Sequence, residues 1–297
     1  MRLSCFVASP LVLSSFRSGG LFSKPGHVFF AKIALVNPLF NQRGHDLLMN
    51  TPPSTLRLNS LVHDQLYDAG AKNEVGKLSE ESYAEITSKI DQKFWPVLER
   101  AGVTRAAWLK GLQLWSGEGR YYHSPTHLQS LLSDIEAIHD PSLSQADYER
   151  LIVIAFFHDV IYQPNKPKDD PKTNEQKSVE YYQSALSAGH APDPEVVRAI
   201  LATQGTLAPE ATPENALARR FWLLDYGIVK KDFPTLLIWE RDIFKEFSPF
   251  CSLDLYKEKR AEFLQSCFSH PDLQLSAEQK ENLNRLIEHV QQAQPIS

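Results

Sequence analysis

Methionine and cysteine are scarce in this chain of 297 residues: Met1 and Met49 are the only methionines, and Cys5, Cys251 and Cys267 the only cysteines. The three thiols lie far apart and form no CxxC pair, which excludes a disulfide framework and a thiolate zinc site. A long apolar run is also missing. The best stretch, Val28 to Phe40, is too short for a bilayer and holds Lys32 and Pro38, so no membrane partner is expected. A net charge of −5 leaves no basic footprint, and no nucleic-acid partner is expected either. No segment alternates with period two, and no internal repeat is found, which removes sheet and solenoid architectures. Any chemistry belongs to His, Asp and Glu.

Charge is unevenly spread. Residues 1–48 carry five basic residues and one acid, Asp46, leaving 26 basic and 35 acidic residues and a net −9 for the remainder. This Ser-rich leader reads as an organellar transit peptide or as an over-extended start upstream of Met49. Without it the chain is expected to be cytoplasmic. Residues 49–77 read as a poorly structured lead-in, and residues 78–295 as one domain.

Helical signals begin at Glu80. Ile86, Ile90, Phe94, Val97 and Leu98 recur at three- and four-residue spacing, with Pro96 expected to kink the helix. Thr104 can cap a second helix that ends at Gly117 to Gly119. Ser124 and Pro125 supply the cap and first position of a third, in which His127 borders the apolar stripe. His123 lies just outside that cap, where backbone N–H groups and the helix dipole favour an anion. The two histidines therefore flank an expected phosphate seat. Further starts are expected at Ser144, at Thr173 with Gln176 as box partner, at Asp193-Pro194, at Thr212-Pro213 and at Ser276 with Gln279, and stops at Gly189 and Gly205. Two more amphipathic helices fall at roughly 234–247 and 253–268. The fold class is all-α, with about ten helices.

One stretch organises the rest. Leu151 to Tyr162 reads LIVIAFFHDVIY, a buried helix whose C-terminal end carries His158 and Asp159. Burying such groups unpaired costs several kcal/mol, and the usual remedy is an ion pair, a hydrogen-bond network or a metal. His-Asp also occurs at residues 45–46, 63–64 and 139–140, but only this copy lies in a core helix. Asp225 is a second lone carboxylate in an apolar run. His127, His158, Asp159 and Asp225 thus lie on or beside apolar faces of three helices. Two imidazoles and two carboxylates suit a divalent metal of the Mn, Mg, Co, Ni, Fe or Zn kind.

These motifs resemble the HD superfamily of metal-dependent phosphohydrolases, whose signature is H…HD…D on a helical bundle. The closer likeness is to a subgroup with R-x-YH-x-x-x-H, FHDxxY and NE-x-x-S segments. Here they are Arg120-Tyr121-Tyr122-His123 with His127, then Phe157-His158-Asp159 with Tyr162, then Asn174-Glu175 with Ser178. The likeness covers most of residues 80–270 and implies an HD-domain helical bundle with His127, His158, Asp159 and Asp225 as metal ligands. The first segment is also similar to one in the cyclic-nucleotide phosphodiesterases, which gives His123 the role of general acid. Two departures stand out. Leu223 occupies the first position of the subgroup's usual DxD, and Gln204 follows Ala202-Thr203 where a His is expected.

The resemblance implies an enzyme that hydrolyses a phosphate ester, a nucleotide or similar small metabolite, by metal-activated water. Glu175 would orient that water or a ligating His. Arg120, Lys172 and Lys177 would neutralise phosphate charge, and Tyr121, Tyr122 and Tyr162 would line a pocket for a ring. The rival readings are a non-catalytic HD-fold protein that binds metal or ligand and, more remotely, a di-iron oxygenase. A homo-oligomer is compatible with all three.

Overall fold

The computed structural model describes residues 82–167, 169–204 and 212–293. The leader, the lead-in, the expected stop at Gly205 and the outermost residues of the expected domain lie outside them. The described residues form ten α-helices and no strand: α1 Tyr83–Arg100, α2 Arg105–Trp115, α3 Pro125–Glu136, α4 Gln145–Phe157, α5 Asn174–Ala185, α6 Pro194–Ala202, α7 Ala216–Asp225, α8 Phe233–Phe247, α9 Leu253–Ser269 and α10 Ala277–Gln292. A 3-10 turn, Tyr226–Lys230, continues α7. No helix among the described residues is long and apolar enough to cross a membrane.

Helix α4 is the axis. Its last seven residues, Leu151 to Phe157, are all buried, so the helix is apolar on every side and must be surrounded. Helices α1, α3, α5, α6 and α7 pack around it. A second core, built on Trp239, Tyr256, Phe263 and Leu283, joins the end of α7 to α8, α9 and α10. The metal-ligand candidates lie on α3, at the end of α4 and at the end of α7.

Local caps follow side-chain chemistry. Ser144 accepts from the Asp147 N–H, and Thr173 and Ser276 each close a reciprocal box with the glutamine three residues on. Three expectations need correction. Helix α7 starts at Ala216 under an Asn215 cap, not at Thr212-Pro213, because Asn215 accepts from the Ala218 N–H and is itself tied to Glu195 at 2.8 Å. Thr212 is used elsewhere, donating to Asp272 at 2.8 Å. Helix α5 ends at Ala185, well before Gly189, because the Thr104 and Ser187 N–H groups bond the Ala185 and Gly102 carbonyls and pull the chain into an extended bridge with Val103. Helix α4 closes at Phe157, so His158 is its C-cap and Asp159 lies in the turn beyond.

The end of α4 is held by side chains that satisfy its last carbonyls, groups a helix leaves unpaired. The Trp115 indole donates to Phe156 O at 3.0 Å and His158 Nδ1 to Ala155 O at 2.8 Å. Arg120 donates to Asp159 O and Val160 O, both at 2.9 Å. On the other side Ser178 of α5 brackets Ile161, accepting from its N–H at 3.2 Å and donating to its carbonyl at 3.3 Å. The His158-Asp159 turn is therefore fixed from both sides.

The fit of α2 on α4 depends on one glycine. A Cβ at Gly111 would strike the ring of Phe156, which is 1 % exposed and packed at a tilt against Trp108 with ring centroids 4.2 Å apart. Gly111→Ala is expected to destabilise the fold by about 1–3 kcal/mol through overpacking, although alanine favours a helix interior over glycine by about 1 kcal/mol. Thermal unfolding of the variant checks this; an unchanged or raised Tm contradicts it.

Candidate metal centre

His158 carries the geometry furthest. A carbonyl only accepts, so its Nδ1 holds the proton donated to Ala155 O, and Nε2 faces inward. That nitrogen lies 3.2 Å from Asp159 Oδ2 and 3.5 Å from Asp225 Oδ1. His127, one turn inside α3, places its Nε2 3.3 Å from the same Asp225 oxygen. Both Nε2 atoms are buried, and neither is in hydrogen-bonding geometry with a partner. His127, His158 and Asp159 offer one ligand atom each within 4.8 Å of one another, so this buried cluster could hold a metal ion. The donors are imidazole and carboxylate without thiolate, which fits a borderline or hard divalent ion.

Electrostatics point the same way. Burial opposes charge on His158, but Asp159 and Asp225 outweigh it and raise its pKa to about 10. Burial likewise resists charge on Asp225, yet His127 and His158 hold its carboxyl well below the usual range. His127 has a lowered pKa, with burial the main cause. Two carboxylates facing each other across imidazoles demand a cation, and a proton on His158 is the smallest one that serves.

His123 approaches from the α3 cap. Its Nδ1 is 2.6 Å from Glu246 Oε2, and its Nε2 is 3.9 Å from Asp159 Oδ2. Tyr162 stacks on its ring at 3.8 Å, and Tyr122 meets it edge-on at 4.8 Å. Burial pushes the His123 pKa down to about 4. Ahead of that cap a carboxylate of the protein is already in place: Glu246 Oε1 accepts from the backbone N–H groups of Tyr121, Tyr122 and His123 at 2.9, 2.9 and 2.8 Å. Glu246 was not anticipated. The sequence around it, Glu240-Arg241-Asp242-Ile243-Phe244-Lys245-Glu246, is as charged as an ordinary solvated helix face and carries no signal of its role.

The remaining expected residues divide. Glu175 is buried in the first turn of α5, on the face that also carries Ser178. Tyr122 packs on His127 at 4.7 Å and lines a cavity of about 650 Å³ that reaches His127 and Asp225. The expected cations are not gathered there. Arg120 is buried, with its guanidinium spent on the carbonyls of His123, Asp159 and Val160. Lys172 pairs with Glu180 at 2.6 Å, and Lys177 with Asp170 and with Gln163 at 3.0 Å. None of the three lines the cavity, whose basic side chains are Lys231, Arg241 and Lys245. Asp140, of the His139-Asp140 pair, acts as a turn acceptor for Ser142 and is paired with Arg220 at 2.6 Å. No family model matches the chain, and no curated protein or solved structure matches it at a significant level.

Proposed function

We propose that the protein is a metal-dependent phosphohydrolase acting on a small phosphate ester, with His127, His158, Asp159 and Asp225 as metal ligands. The observation that carries this reading is the pair of buried Nε2 atoms on His127 and His158, without hydrogen-bond partners and within 3.5 Å of an Asp225 oxygen, next to a cavity lined by His127 and Asp225 and large enough for a small molecule. A divalent ion there would lower the pKa of bound water and polarise a phosphoryl oxygen.

The chain's own groups do the rest. His123 is the general acid: Glu246 holds its Nδ1 and stabilises the imidazolium, while Nε2 faces the cluster and presents a proton to the leaving oxygen. Burial is the main cause that keeps His123 neutral, so the negative charge of an arriving phosphate would raise its pKa and couple protonation to substrate binding. Ser178 holds the α5 side of the turn that carries Asp159, and Glu175, buried in the first turn of the same helix, would orient the metal-bound water or a ligating His. Tyr122 and Tyr162 fix the His123 ring and keep water from it.

The test is a panel of phosphomonoesters and phosphodiesters, each with Mn, Mg, Co, Ni, Fe or Zn added to the chelator-treated chain. Phosphate release from at least one ester is expected. His123→Ala should keep its metal and lose turnover about 10²–10⁴-fold, the usual contribution of a positioned acid. Metal-replete protein that hydrolyses nothing on the panel would favour the non-catalytic reading.

A further inference from the structure

Arg120 is 8 % exposed and does not line the cavity. Its guanidinium instead bonds two stretches that come from different parts of the chain. One nitrogen, Nη1, donates to His123 O at 3.2 Å and to Asp159 O at 2.9 Å, while Nη2 donates to Val160 O at 2.9 Å. The first carbonyl belongs to the proposed general acid and the second to a proposed metal ligand. Their side chains meet a short way off, with His123 Nε2 3.9 Å from Asp159 Oδ2. The guanidinium is itself held. Its carbon lies 5.4 Å from the Trp115 ring centroid and 5.7 Å from that of Tyr162, and the Tyr83 hydroxyl donates to Arg120 O at 3.2 Å. Trp115 also donates to Phe156 O at the end of α4, at 3.0 Å, and Tyr162 stacks on His123 at 3.8 Å. Each ring against the guanidinium thus also holds one of the two elements that it joins.

We propose that Arg120 is a positioning residue of the reaction, setting the reach of the general acid His123 to the metal centre by holding His123 and Asp159 from one nitrogen. The proposal rests on the phosphohydrolase reading of that centre. Each side has an anchor of its own: Glu246 holds His123 from α8, while the His158 Nδ1 bond to Ala155 O and the Ser178 hydroxyl hold the turn that carries Asp159. Arg120 joins the two sides. A planar guanidinium presents its N–H groups in a rigid fork, which fixes one separation between the two backbones; a lysine ammonium keeps the charge on a flexible stem without that fork. Loss of the fork therefore leaves the ligands in place and lets the acid shift, and a reacting group displaced by about 1 Å costs on the order of 10²-fold in rate.

The experiment measures kcat, KM and the metal dissociation constant for the wild-type full chain, Arg120→Lys, His123→Ala and the double variant. The substrates are an alkyl and a p-nitrophenyl ester of the phosphate class that the panel identifies. An alkoxide needs a proton to leave and p-nitrophenolate does not, so a displaced acid is felt on the alkyl ester. Arg120→Lys should lose about 10²-fold in kcat on the alkyl ester, with KM and metal affinity unchanged and a far smaller loss on the p-nitrophenyl ester. With His123→Ala already present it should cost nothing further, because the two changes act through one group. Equal losses on both esters, a loss added in full to that of His123→Ala, metal affinity lost in parallel, or no loss at all would each overturn the proposal. Where the lysine variant does not fold, Arg120→Ala carries the test: guanidinium ion at millimolar concentration should restore turnover of the alkyl ester, and failure of that rescue overturns the proposal. A metal-loaded wild-type chain that hydrolyses no ester of the panel refutes the phosphohydrolase reading itself, and this proposal with it.

Discussion

Asp159→Ala is expected to abolish both metal binding and turnover, the largest functional effect of any single substitution in the chain. Asp159 is 3 % exposed and its Oδ2 lies 3.2 Å from His158 Nε2, so the variant loses an anionic ligand and leaves His158 leaning on Asp225 alone. The metal-free protein gives a separate reading. There the carboxylates raise the His158 pKa from 6.5 to about 10 against the opposing effect of burial. A pKa raised by folding adds stability that is fully present below the unfolded value and is lost as pH rises through the folded one. In chelator, wild type should therefore exceed Asp159→Ala in stability at neutral pH, and the gap should close as pH passes about 10. Metal must displace the same proton, so its affinity should fall as the solution is acidified. Thermal unfolding against pH and metal titration check these outcomes; full activity in Asp159→Ala would sink the mechanism.

Glu246→Ala is expected to give the largest loss of stability. Its carboxylate accepts from three successive N–H groups and from His123, all within 2.9 Å, and it is buried. Removing it strands those donors away from water, at a cost of about 3–5 kcal/mol, the range for breaking a buried charged pair. Glu246→Gln separates the two roles of the residue. The amide oxygen still accepts from the backbone, so most of the stability should return. The negative charge that favours the His123 imidazolium is gone, so turnover should stay about 10²-fold down with metal still bound. Denaturant unfolding and kcat of both variants decide this; equal stability of wild type and Glu246→Ala would contradict it.

The parts of this fold visible in the sequence are those set by neighbouring residues. Ser144, Thr173 and Ser276 bond N–H groups three residues away, and Leu151 to Phe157 is apolar on every face, so each announces itself in a short window. The cluster was legible for a related reason: His158 and Asp225 are ionisable groups inside apolar runs, an arrangement that local structure cannot satisfy. What was not legible depends on partners far along the chain. Glu246 meets His123 across 123 residues, and nothing near position 246 states that three N–H groups are waiting for it. Arg120 is expected from the sequence to neutralise phosphate charge, because a guanidinium usually stays in water. The carbonyls left open at the end of α4 draw it inside instead, and that demand appears only once α4 and α3 are packed. At the start of α7 the expected cap, Thr212, donates to Asp272 instead, and Asn215, held by Glu195, caps the helix; both partners belong to other elements.

The most direct test of the central claim is anomalous diffraction from crystals of the protein grown with excess Mn or Zn. The account predicts a peak bonded at about 2.0–2.2 Å to Nε2 of His127 and His158 and to carboxylate oxygens of Asp159 and Asp225. A map with no peak among these residues, and with Asp159 or Asp225 bonded directly to the two imidazoles, would show the cluster to be an ion-pair network and would contradict the metal centre.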